Sequence, residues 1–384
     1  MWTGTRPRRE WIALAIFCVL LIFAGVAREV RRRAELPDGI DLGVYITAGN
    51  VLAVGGDPYR MDTMRAAGTF EGFPYTYPPH TIPLARSLAG VDPHLALGVW
   101  IGIKVAALFA CGLVALNWLG LARRLFLPFL ALATTGFGNG GFHDLRMGNL
   151  ALIETAVGSL MFAALLKGAA TRSGVLGALL VAVKPHFLLF SLPGLLVEPK
   201  RVARGLGVGL LFVVPIYLFG VFRYPTFFRN YPSRLAEFDP KLMMGDSLRR
   251  DAITWTQNDS FATLLFGVLI LAVIAGVVYA VRRLRAEPYR DGVDRARLLV
   301  PLTAVATVLV NPRLPYYSNA VIAIPLLTLF ADLNLTPLSI GLFLLVAALV
   351  PGMHPWFVTL PLFMAILLVI RQRTKRVSGV LPAQ

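Results

Sequence analysis

Asp41 heads the stretch DLGVYITAGNVLAVGGDPY, a little beyond the first apolar run of the chain. A carboxylate there can act as a general base toward a substrate hydroxyl, or it can cap a helix by accepting the backbone N–H of residue 43 or 44. Lys184 lies between SGVLGALLVAVK and PHFLLFSLPGLLV, two apolar runs each too short to cross a bilayer, and His186 follows two residues on. A charge at that depth is costly and marks a functional group with a partner, so Lys184 is expected to bind an anion. The plainer alternative is a lysine that reaches water along its own stem. Arg146 in HDLRMGN and Arg313 in NPRLPYY are cations at helix ends; each can grip a phosphate through two parallel hydrogen bonds or touch a lipid headgroup. FPYTYPPH holds an extended, aromatic-rich backbone, because proline biases itself and the residue before it away from helix. Its Tyr77 and His80, with Tyr59 of GGDPY, are candidates to line a sugar or lipid groove, and His354 in PGMHP is a further polar candidate.

The elements that must position these residues are membrane helices. Of 384 residues, 57% are hydrophobic and 15% charged, and the mean hydropathy is +0.68. Apolar runs near the length a helix needs to cross a bilayer recur without the short alternating segments of a barrel, so the chain is all-α, a polytopic transmembrane bundle forming one domain over 1–384. The net charge of +16 resides in clusters beside the apolar runs, which points to topology and membrane lipids rather than nucleic acid. Cys18 and Cys111 sit inside apolar runs and have neither disulfide nor metal spacing. The opening run is followed by AREVRRR and further spans, so it is expected to stay as an uncleaved first helix.

Lys and Arg on loops of one parity orient the bundle. With the amino terminus inside, crossings are expected at 11–27, 94–118, 125–138, 148–167, 205–222, 259–281, 298–310, 317–331, 335–350 and 356–370. A broken or re-entrant hairpin over 173–197 has its tip at Lys184-Pro185, giving about 10–12 membrane helices in all. Segments 28–93 and 223–258 then lie outside, the first carrying a two-faced interfacial helix after Asp41. Both termini are inside. One cluster, Arg28 with Arg31, Arg32 and Arg33, falls outside against the rule, where it can meet outer phosphates. Asp41, GGDPY, FPYTYPPH, HDLRMGN, WTQND, NPRLPYY and His354 all emerge on the outer face and are expected to share one site.

No nucleotide-binding loop, dinucleotide fingerprint, paired-histidine zinc pattern or Gly-x-Ser-x-Gly elbow occurs in a supporting context. A transferase on this frame therefore needs a donor that partitions into the membrane, such as a polyprenyl-phosphate sugar, and no cofactor or metal is expected. A transporter or flippase of a lipid-linked sugar would also use a broken helix and an intramembrane lysine, and a non-catalytic assembly subunit would keep the same bundle.

DLGVYITAGNVLAVGGDPY, YTYPPHTIPLARSL, MGNLALIETAVGSLMFAALLKG, GVLGALLVAVKPHFLLFSLPGLLV, NDSFATLLFG and NPRLPYYSNAVIAIPLL occur in an order that resembles glycosyltransferase family 87, polytopic enzymes of the GT-C class that include polyprenol-phosphate-mannose-dependent mannosyltransferases. The resemblance covers roughly residues 10 to 330. It implies a GT-C fold in the cell membrane, an extracytoplasmic site, a polyprenyl-phosphate sugar donor (mannose or a related hexose or pentose), a lipid or glycan acceptor, and inversion at the anomeric carbon. It also implies that Asp41 is the catalytic base. Asn149 corresponds to the family's Gly-Gln-x-Asn motif, which here reads MGNLAL. In such a transfer Lys184, Arg146 and Arg313 would stabilise the departing lipid phosphate, with His80, His186 and His354 as further ligands.

The orientation is open to a direct check. In cells expressing a variant whose Cys18 and Cys111 are replaced, a cysteine placed in the 28–93 segment should react with a membrane-impermeant thiol reagent added from outside; reaction only after permeabilisation would reverse the topology.

Overall fold

A chain in a bilayer must satisfy its backbone N–H and C=O groups within the protein, and an apolar segment does so by coiling into a helix. The computed structural model describes residues 7–32, 38–68, 75, 77–227, 248–286, 292–311, 316–349, 354 and 356–378; for 185–186, 292–294, 316–317 and 375–378 it describes the backbone alone. Among the described residues the regular structure is helical. The helices in chain order are α1 (Arg8–Arg32), α2 (Ile40–Ala53), α3 (Met61–Ala66), α4 (Ile82–Ser87), α5 (Pro93–Leu119), α6 (Ala122–Met147), α7 (Ala151–Leu166), α8 (Ala170–Val183), α9 (Leu192–Val197) and α10 (Pro199–Arg223). They continue with α11 (Leu248–Thr256), α12 (Asp259–Arg285), α13 (Gly292–Val310), α14 (Ala323–Asp332), α15 (Pro337–Leu349) and α16 (Trp356–Ser378). Six of them, α1, α5, α6, α10, α12 and α16, are long and apolar enough to cross a membrane. The remaining expected crossings are shorter apolar helices, one of them preceded by a 3₁₀ turn, and the 19-residue α13, so the fold is a polytopic all-α bundle.

The centre of the bundle is α7, α13 and α14, whose side chains are buried almost all round. Helices α1, α10 and α12 wrap it and turn large apolar residues outward, among them Phe23, Leu211, Phe219 and Leu271. That inversion of the soluble pattern is what a lipid-facing surface requires.

Three interruptions shape the interior. Segment 173–197 is the expected broken helix: α8 ends at Val183, Lys184 is extended (φ −143°, ψ 118°), and a 3₁₀ turn over Pro185–Ser191 leads into α9. A second interruption of the same kind, the 3₁₀ turn Tyr316–Ile322, leads into α14. The third differs from the sequence expectation. GNGGFHDLRMGN does not leave the bundle as a loop; it continues α6 beyond a kink at Gly136–Asn139, where Phe137, Gly138 and Asn139 have positive φ. Asn139, Asp144 and Arg146 are buried there because partners on α1 and α5 receive them. Helix α2 also differs from the two-faced interfacial helix expected: Leu42, Val44, Tyr45, Ile46, Ala48 and Val51 are all buried, under α3 and α4 and against α5.

Helices α8 and α10 meet through small residues, the usual means by which membrane helices approach closely. A Cβ at Gly205 would meet the main-chain carbonyl of Thr171 and stand 3.0 Å from the Cα of Gly174. Gly207, two residues on, faces open space. Gly205→Val should therefore lower the apparent Tm of the purified protein, by the equivalent of roughly 1–3 kcal/mol of overpacking, whereas Gly207→Ala should not; equal stability of both variants would contradict this packing.

Candidate active site

The turn between α6 and α7, Arg146 to Leu150, is where the polar side chains converge. Gly148 sits at φ 79°, and a Cβ on it would lie 2.6 Å from the Cβ of Leu42, so glycine lets the turn press against α2. The start of α2 is fastened to the same turn: the Gly39 N–H donates to the Arg146 carbonyl at 2.8 Å. Gly39, and not Asp41, occupies the N-cap position of α2. The Asp41 side chain is thus not spent on capping. Its Oδ2 accepts a 3.0 Å hydrogen bond from Nδ2 of Asn149.

Asn149 joins the acid to a lysine. Its Oδ1 accepts from the Leu150 backbone N–H at 2.6 Å and from Lys184 Nζ at 3.5 Å. Lys184 in turn stands 2.7 Å from Oε1 of Glu154, a fully buried residue one turn into α7. The other carboxylate oxygen of Glu154 accepts from the Ser318 hydroxyl at 2.9 Å. Two of the interrupted segments therefore end on one carboxylate, one through Lys184 and one through Ser318.

Beneath this lies a second pair. Lys104 of α5 is fully buried and donates to Asp144 Oδ2 (3.0 Å), to the Asp144 carbonyl (2.6 Å) and to the Asn149 carbonyl (3.1 Å). Asp144 also accepts from the backbone N–H groups of Ala151 and Leu152, at 2.9 and 3.3 Å, and so caps α7. Trp100 Nε1 donates to the Gly148 and Asn149 carbonyls, at 3.0 and 3.2 Å, one turn before Lys104 on α5.

Of the acids gathered here, Asp144 has Lys104, Glu154 has Lys184, and Glu29 has Arg146 at 2.7 Å with His143 at 3.3 Å. Among the described residues no cation lies within ion-pair distance of Asp41. Asp41 belongs to the segment between spans α1 and α5, and burial pushes its carboxyl pKa above the ordinary value, opposed by the Asn149 hydrogen bond and the Lys184 charge.

Helices α2, α4 and α5 form an apolar cleft of about 250 Å³ lined by Leu42, Tyr45, Leu88, Trp100 and Gly148 among others; Asp41 does not line it. The Tyr45 ring packs against Tyr77 at 4.3 Å with the planes tilted by 32°, and Tyr77 is partly exposed. Tyr59 is fully buried and donates to the Tyr77 carbonyl at 3.0 Å, placing it behind the site as a support. His80 lies 5.9 Å from the Tyr217 ring, and burial pushes its imidazole pKa down, opposed by a hydrogen bond with the Ala182 backbone. Arg146 is buried and turned toward Glu29. His354 is held at the foot of α16 by Asp251, 2.6 Å from Nδ1; Trp356 donates to the same oxygen at 2.5 Å. The His186 side chain and the whole of Arg313 lie outside the described residues.

Sequence reasoning missed Lys104, Asp144, Glu154 and Glu29. For Lys104 and Glu154 a signal existed, since each is a lone charge inside an apolar run, the same feature that singled out Lys184.

An integral-membrane helical bundle whose polar chemistry is drawn to helix breaks, around one largely buried carboxylate held by a neutral amide, is the class of protein these features define. The chain belongs to glycosyltransferase family 87, whose model matches residues 75–312, and it is thus a membrane glycosyltransferase. The matched region contains Lys104, Asp144, Asn149, Glu154 and Lys184 and begins beyond Asp41. No curated protein and no solved structure matches the chain.

Removing one member of a buried pair strands the other, at a cost of about 3–5 kcal/mol. Lys104→Met should accordingly destabilise the purified protein strongly and loosen the α6–α7 turn, measured as a fall in apparent Tm; a Tm unchanged from the parent would show that the pair does not hold this turn.

Proposed function

We propose that the enzyme transfers a sugar from a polyprenyl-phosphate donor to a hydroxyl of a lipid or glycan acceptor, with inversion, and that Asp41 is the general base. The observation that carries this reading is the state of Asp41: largely buried but not sealed off, fixed by a neutral amide, and without a cation at ion-pair distance among the described residues. A carboxylate neutralised by a lysine or arginine is a poorer proton acceptor than one that keeps its charge uncompensated. Three neighbouring acids are so neutralised. Among the described residues, Asp41 has no cation at that distance.

In the reaction the acceptor oxygen attacks the anomeric carbon while its proton passes to Asp41. The bond between that carbon and the phosphate oxygen breaks, and the lipid phosphate leaves with the electron pair. Charge grows on the phosphate as it departs, and a fixed cation nearby lowers the barrier. Lys184 is the cation closest to this role: it is joined to Asp41 through Asn149 and remains partly exposed, at 15%. Arg146 contributes through Glu29, as support for the turn that carries Asn149. Arg313 is a further candidate for the phosphate. The apolar cleft beside Tyr45 and Trp100 suits a hydrocarbon portion of a substrate, and Tyr77, partly exposed, suits contact with a sugar. The sugar is mannose or a related hexose or pentose, and the site faces the extracytoplasmic side of the cell membrane.

With a radiolabelled polyprenyl-phosphate sugar and a panel of lipid and glycan acceptors, the purified protein should form product. Asp41→Asn should cut turnover by about 10²–10⁴-fold with Tm retained. Because the folded environment raises the Asp41 pKa above the ordinary 3.8, kcat/KM should fall as the pH drops through that raised value, and the fall should vanish in the variant. Full turnover by Asp41→Asn would remove the base assignment, and scrambling of the lipid-linked sugar across proteoliposomes without product would replace transfer by flipping.

A further inference from the structure

A larger cavity lies at the other end of the bundle. It has a volume of about 1090 Å³ and is lined by Arg123, Arg124, Lys167, Arg297 and Arg373, with Asp332 as the one carboxylate among the described lining residues. Along α5, Lys104 beneath the Asn149 turn and Asn117 at the cavity are separated by a helical run of about 20 Å. Helix α7 likewise begins at the Asp144 cap and ends at the cavity with Leu166. The cavity is therefore distinct from the acid–amide–lysine site, and its occupant does not depend on the reaction proposed above.

Loop parity accounts for the presence of basic residues at this end. It does not account for their gathering around one cavity. The five cations come from four separate parts of the chain: the first turn of α6, the end of α7, the start of α13 and the far part of α16. Asp332 at the end of α14 organises two of them. Its Oδ1 lies 3.6 Å from Arg297 Nη1, and its main-chain carbonyl accepts from Arg373 Nη2 at 3.0 Å. The Arg124 guanidinium lies over the Trp11 ring at 5.7 Å. One carboxylate cannot balance five cations, so the described walls leave a large positive surplus in a concave space. Four arginines with fixed fork geometry suit the oxygens of a phosphate, and the volume is that of a small-molecule pocket.

We propose that this cavity is a second ligand site, which binds a phosphate-bearing anion, either the headgroup of an anionic lipid in the adjacent leaflet or a soluble phosphate compound. Both α6 and α7 run from this site to the turn that carries Asn149, so an occupant also ties together the ends of the helices on which the active site is built.

The full-length protein in phosphatidylcholine nanodiscs provides the test. In one arm phosphatidylglycerol is added to the lipid, in the other inorganic pyrophosphate to the buffer; binding is read by native mass spectrometry and by the shift in Tm. Arg123 and Lys167 are exposed, so Arg123→Gln/Lys167→Gln should fold. It should bind the anion on the order of tenfold more weakly than the parent. The charge-matched control, Arg201→Gln/Arg204→Gln on the exposed face of α10, should bind like the parent. A response to phosphatidylglycerol alone makes the occupant a lipid headgroup, and a response to pyrophosphate identifies a soluble ligand; either supports the site. No response to either anion, or equal losses in the two double variants, overturns it.

Discussion

The buried Lys104–Asp144 pair is the constraint on which the interior of this bundle rests. A lysine and an aspartate with no exposed surface are tolerated only when their hydrogen-bonding capacity is used, because desolvation otherwise exceeds their mutual attraction. Here Lys104 spends its three N–H groups on one side chain and two carbonyls, and Asp144 spends its oxygens on the lysine and on the first amides of α7. The pair thereby sets the register of three helices at once. The Asn149 carbonyl is one of the three acceptors, so the residue that presents its amide to Asp41 is placed by a charge below it.

Around this centre the polar groups occur where helices are interrupted. In hydrocarbon an interruption frees backbone groups that have no water to meet, and it survives only inside protein or along a wet cavity. The break at Lys184, the 3₁₀ turn over Tyr316–Ile322 and the α6–α7 turn satisfy that condition together, since Lys184 and Ser318 both engage Glu154 and Lys184 also engages Asn149. Each interruption therefore stabilises another. The same arrangement leaves two faces to the protein, with an acid, an amide and a lysine gathered at one end and a basic cavity at the other.

Much of this was legible in the sequence, and the remainder was hidden for identifiable reasons. Apolar runs of bilayer length made the all-α bundle plain, and two half-length runs around Lys184-Pro185 marked the broken helix together with a lysine in need of a partner. The partner itself, Glu154, was not found, although a lone acid in ALIETAVGSL carried the same cost argument. GNGGFHDLRMGN has a loop's composition, and nothing local shows that Glu29, more than a hundred residues earlier, waits on α1 to receive Asn139, His143 and Arg146. That information is long-range. DLGVYITAGNVLAV was expected to show two faces, whereas the segments that cover it leave only a few of its residues in contact with solvent.

The orientation of one amide decides what kind of group Asp41 is. The O and N of an asparagine side chain are told apart by their partners. Two donors, the Leu150 N–H and the Lys184 ammonium, point at one terminal atom of Asn149, which must therefore be the oxygen. The other terminal atom is then the NH₂, and it faces Asp41 as a donor. A donor at that position favours an ionised carboxylate as its acceptor and disfavours a protonated one, while burial acts in the opposite sense and raises the pKa. Asp41 is thus held as an acceptor without the quenching that a direct lysine contact would bring. Lys184 achieves this at one remove: its charge fixes the amide, the amide fixes the carboxylate, and Glu154 keeps the ammonium from closing on Asp41 itself.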